Sequence, residues 1–67
     1  MKVIESPSGM TIVASKIVAI SSVTEVSSGF NFNVYTVNSE EPFIFRFRNE
    51  ENAINKRNEI IDILNEV

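Results

Sequence analysis

Sixty-seven residues with a net charge of −3, no Cys and no His read as one domain that draws no stability from disulfides or a zinc–thiolate site. The missing imidazole also removes the commonest metal ligand and general base, and a pI of about 4.7 argues against a non-specific nucleic-acid or anionic-membrane binder, which carries a basic surface. A core this small rarely contributes more than about 3–5 kcal/mol, so a partner chain is the remaining ordinary source of stability and a homo-oligomer is expected.

The charge is unevenly spread. Residues 1–49 balance Lys2, Lys16, Arg46 and Arg48 against Glu5, Glu25, Glu40 and Glu41, so the whole acidic excess falls in residues 50–67. No apolar run approaches the roughly 18 residues of a membrane span. The stretch Met1-Lys2-Val3-Ile4-Glu5 has no signal-peptide core, and a cytoplasmic protein is expected. Asn, Ser, Ile and Glu dominate, and Leu occurs once, at Leu64. Such usage is common in AT-rich genomes, phage genomes included, and suggests a phage or bacterial accessory protein.

In chain order, Lys2–Glu5 reads as a short strand and Ser6-Pro7-Ser8-Gly9 as a turn, Pro presetting one φ and Gly accepting a positive one. Met10–Ala14 returns as the second strand of a hairpin. Lys16–Val26 is Val- and Ile-rich and reads as a longer strand. Ala14–Lys16 reads as a bend or a bulge within one continuous strand, and Ser21-Ser22 interrupts the apolar pattern. Ser27-Ser28-Gly29 suits a three-residue loop with a left-handed Gly last. Phe30–Val37 and Phe43–Arg48 then alternate cleanly: Phe30, Phe32 and Val34 share one parity, and so do Phe43, Phe45 and Phe47. A symmetric turn over Asn38-Ser39-Glu40-Glu41 would set Val34 against Phe45 and Phe32 against Phe47, with Asn33 against Arg46 on the other side. Pro42 opens the second strand, where Pro is tolerated. Asn49 reads as an N-cap with Glu50 and Glu51 on the positive helix end. Helical spacing then puts Ala53, Arg57, Ile60, Ile61, Leu64 and Val67 on one face. The fold class is α+β: a small antiparallel β-meander of three to five strands with one C-terminal helix on its Phe-rich face.

Few residues carry chemistry. Nucleophilic catalysis needs a nucleophile with a positioned base. The eight Ser residues have no His or Cys beside them, and no enzyme activity is expected. The pairs Glu40-Glu41 and Glu50-Glu51 lack the spacing of a calcium loop, and the two glycines form no phosphate-binding fingerprint; no metal or cofactor is expected. Sheet aromatics can stack nucleic-acid bases, but the apolar helix that follows makes the Phe cluster a core. Arg46 and Arg48 share the opposite face with Asn31, Asn33 and Tyr35. Guanidinium, amide and phenol groups on one face suit a nucleotide or another anion. Arg57 falls within the apolar helical stripe, where an unpaired charge is costly. It is expected to snorkel past the sheet edge, to pair with a carboxylate such as Glu50 or Glu25, or to enter an interface or anion site. Ile54 and Ile63 flank the stripe on opposite sides and, with Val67, form a candidate interface.

The layout, a short meander closed by one helix, resembles small FlbD-like flagellar regulators and the strand-plus-helix end of pleckstrin-homology-like domains. The resemblance is one of layout and brings no site residue with it. The function expected is a non-enzymatic protein–protein interaction or assembly module, a homo-oligomer or a small accessory subunit. It would make contact through the helix flank or an exposed strand edge. The alternative is a protein that binds or sequesters a small anion through Asn33, Tyr35, Arg46, Arg48 and Arg57. Nucleic acid and membrane are not expected partners.

Overall fold

The computed structural model describes residues 1–66. The chain runs β1 (Val3–Glu5), β2 (Thr11–Val13), a 3-10 turn (Ala14–Lys16), β3 (Ile17–Ile20), β4 (Thr24–Val26), β5 (Gly29–Thr36), β6 (Phe43–Phe47) and α1 (Glu50–Asn65). It is a small α+β domain with antiparallel sheets of two and four strands and one C-terminal helix.

β1 and β2 pair with Ile4 opposite Ile12. Their turn closes as its sequence requires. Gly9 N donates to Ser6 O at 3.0 Å, and Gly9 sits at φ +92, a region that Gly enters without a Cβ clash. The buried Ser6 hydroxyl accepts from Met10 N at 3.1 Å and hydrogen-bonds with the Ser8 hydroxyl at 2.9 Å. Ala14–Lys16 is a 3-10 turn rather than a bulge within one strand. It hands the chain from the small sheet to the large one.

The expected long strand over Lys16–Val26 is broken into β3 and β4, which lie end to end along the same side of β5. Two extra residues explain its pattern. Ile17 pairs with Thr36 and Ala19 with Tyr35, two steps against one. Ile20 pairs with Val34 and Thr24 with Asn31, four steps against three. Each extra residue flips parity. Ile17, Ile20 and Val23 therefore all pack on the core although they recur every third residue. At the second irregularity Ser21 N donates to Asn33 O at 2.9 Å, and Asn33 N donates to Ser21 Oγ at 2.8 Å.

The Ser27–Ser28 loop also departs from expectation. Val26 pairs directly with Gly29, so the loop holds two residues and Gly29 begins β5. Gly is needed there because it sits at φ +141 and because a Cβ would lie 2.3 Å from Phe47 O. The β5–β6 register is shifted by two residues from the symmetric turn: Phe32 faces Phe45, Val34 faces Phe43 and Asn31 faces Arg46. The end of β5 is drawn to β3 instead of β6. Thr36 pairs with Ile17, and Val37 N donates to Lys16 O at 2.9 Å. Asn38 then turns at φ 59, a conformation Asn tolerates. A two-residue shift preserves parity, so the Phe face survives it.

Asn49 caps α1, its Oδ1 accepting from Asn52 N at 2.8 Å. α1 lies across β5, β6 and the 3-10 turn. Phe32, Val34, Phe45, Ala53 and Ile60 are fully buried at 0% exposure. Phe32 stacks on Phe45 at 5.0 Å and on Phe47 at 5.9 Å between ring centroids. Ile4, Ile12 and Ala14 close one side of this core, and an ion pair from Lys2 to Glu66 ties the hairpin to the helix end. Burying each large side chain stabilises by about 1.5–3 kcal/mol.

Candidate functional site

With the Phe parity turned to the helix, the opposite parity of the large sheet is left open. Its register places Ala19 beside Tyr35, Asn33 beside Ile44, and Asn31 beside Arg46. Ile44 is 40% exposed, Tyr35 38% and Val26, at the β4 end, 37%. Asn33 Nδ2 donates to Tyr35 Oη at 3.5 Å. The face is thus a surface of apolar, amide and guanidinium groups.

It runs out to an unpaired edge. Among the described residues β6 pairs with β5 alone. The direction of its backbone groups follows from β5. Asn33 turns both its N–H and its C=O toward Ser21 on the β3 side. Alternation then turns Phe30, Phe32 and Val34 toward β6. Phe43, Phe45 and Phe47 bond back to them, and the backbone groups of Ile44 and Arg46 point outward. The edge carries no bulge; Pro42 at its start and the charges of Arg46 and Arg48 restrict strand addition to a partner that matches them.

Charge is polarised along this edge. Glu40 and Glu41 precede β6, and Arg46 and Arg48 close it. All four are exposed. The ion pairs among the described residues are Lys2–Glu66 and Lys56–Glu59, the latter at 3.3 Å, so none of the four is paired among them.

The five candidate ligand residues do not converge. Asn33, Tyr35 and Arg46 lie on the open face, whereas Arg48 lies just past the end of β6. Arg57 is on α1, across the sheet from them. Among the described residues it pairs with no carboxylate; its Nε donates to Ser21 O at 2.8 Å. This bond satisfies a carbonyl at the break between β3 and β4, and the stem of Arg57 passes along the apolar stripe. Of the helix flank, Ile54 is exposed, whereas Ile63 is half-buried and packs on the core. Val67 lies outside the described residues.

An open cleft of about 350 Å³ lies where β2 and the 3-10 turn meet the end of β5, lined by Thr11, Ile12, Val13, Lys16, Thr36, Val37, Asn38 and Phe43. Sequence reasoning missed it. It arises from the handover between sheets and from the turn at Asn38, and no periodicity announces either. Lys16 is its one charged residue, and no candidate ligand residue lines it. Among the described residues no His, Cys, Asp or Glu group has metal-binding geometry, and no helix is long and apolar enough to cross a membrane. No family model, no curated protein and no solved structure matches the chain.

Proposed function

We propose that this chain is a non-enzymatic protein–protein interaction module, working as a homo-oligomer or as a small accessory subunit. One observation carries the reading: an uncovered sheet face, with Tyr35 and Ile44 exposed, continues into the unpaired edge of β6. Such a surface recognises by area and backbone pairing. The position of Arg57 on α1, bonded to Ser21 O and away from Asn33, Tyr35 and Arg46, favours it over enclosure of a small anion. The reading is of a cytoplasmic protein, and a chain without Cys is compatible with a reducing compartment.

Native mass spectrometry of gently purified protein tests it. Oligomers without added mass support the module. A bound anion of a few hundred daltons refutes it and directs mutation to Asn33, Tyr35 and Arg46.

A further inference from the structure

We infer that the partner is a second copy of this chain, joined β6 to β6 about a two-fold axis through Phe45; the inference rests on the interaction-module reading and names its contact. Three features of β6 lead to it. The first is the free ladder. The outward backbone groups belong to Ile44 and Arg46, and β6 has no strand on that side among the described residues.

The second is register. A two-fold antiparallel pairing can be centred on Ile44, Phe45 or Arg46. Centring on Ile44 sets Arg46 against Pro42, which has no N–H to give. Centring on Arg46 sets that guanidinium against its own copy, a like-charge pair. Centring on Phe45 sets Ile44 opposite the second copy's Arg46 at both ends. Each such pair exchanges both its N–H···O=C bonds, and the Arg stem covers the exposed Ile44.

The third is charge. In the Phe45-centred register Arg48 lies opposite the second copy's Pro42 and next to its Glu41. The acidic start of each strand meets the basic end of the other, with Arg48 beside the second copy's Glu41, and neither group has an ion-pair partner among the described residues of its own chain. Parallel addition would set like against like. The contact is isologous and closed, so it stops at two copies. It joins two large sheets into one continuous sheet with both helices on the same face.

Reversing charge tests this without touching the core. The Arg46→Glu/Arg48→Glu variant and the Glu40→Lys/Glu41→Lys variant each create like-charge ends, and each should dimerise about tenfold more weakly or worse. Mixed in equal amounts, they should form a heterodimer, because every end again meets its opposite. Sedimentation velocity reads all three samples. The Cys-free background allows a check on register: Ile44→Cys and Arg46→Cys proteins should cross-link when mixed and hardly at all when alone. A dimer that persists in both reversed variants overturns the β6 contact and leaves the interaction-module reading standing. So does a wild-type monomer at high micromolar concentration. Self-cross-linking of either Cys variant as fast as the mixture overturns the register. A wild-type monomer carrying a bound small anion overturns both readings.

Discussion

Replacing Arg57 by Met separates two opposed views of a charge within an apolar helical stripe. If Arg57 were simply a misplaced charge, Met would relieve its desolvation and stabilise the fold. The geometry says otherwise. Nε donates to Ser21 O at 2.8 Å, at the irregularity where β3 stops and β4 begins. Met preserves the packing of the stem and removes only the bond. A hydrogen bond to a charged group contributes about 1.5–3 kcal/mol when buried. Arg57 is half-buried, and water replaces part of what is lost, so a destabilisation of about 1 kcal/mol is expected. For a domain of this size that lowers Tm by roughly 4–8 °C. Thermal unfolding followed by far-ultraviolet circular dichroism measures it. Amide exchange at Asn33 should accelerate with it, because that N–H is held by Ser21 Oγ beside the released carbonyl. An unchanged or raised Tm would refute the reasoning, and exchange quickening everywhere equally would refute its localisation to the break.

The two glycines should respond unequally to alanine. Gly29→Ala drives a Cβ to 2.3 Å from Phe47 O, at φ +141, and should cost about 2–4 kcal/mol. Gly9 has open space and a φ of +92, so Gly9→Ala should cost only about 1 kcal/mol; urea denaturation of both variants ranks them. Asn49→Ala removes the acceptor for Asn52 N and should cost about 1 kcal/mol, with Asn49→Ser close to wild type in the same titration.

What could be read from the residues follows from where simple periodicity holds. The Phe parity of β5 and β6, the N-cap at Asn49 and the Pro7–Gly9 turn are local signals, and local geometry honours them. Ile17, Ile20 and Val23 defeated a period of two because two extra residues intervene. A spacing of three in a Val- and Ile-rich strand is the trace such irregularities leave. The β5–β6 register was missed because Thr36 and Val37 answer to β3, a competition invisible within the hairpin itself. For the candidate site, parity placed Asn33, Tyr35 and Arg46 together on the open face. It could not find the carbonyl that Arg57 holds, which lies 36 positions away in sequence.

The position of α1 at the end of the order of elements has a consequence for synthesis. Every strand can leave the ribosome before the helix does, yet the helix supplies Ile60, the buried residue that joins Phe32, Phe45 and Val34 in the core. A chain that has emerged only as far as Asn49 thus has its aromatic face uncovered by α1, in a form prone to misassembly. Stalled or truncated products lacking α1 should accumulate as aggregates or be degraded. The aromatic core is therefore closed only after α1 has emerged.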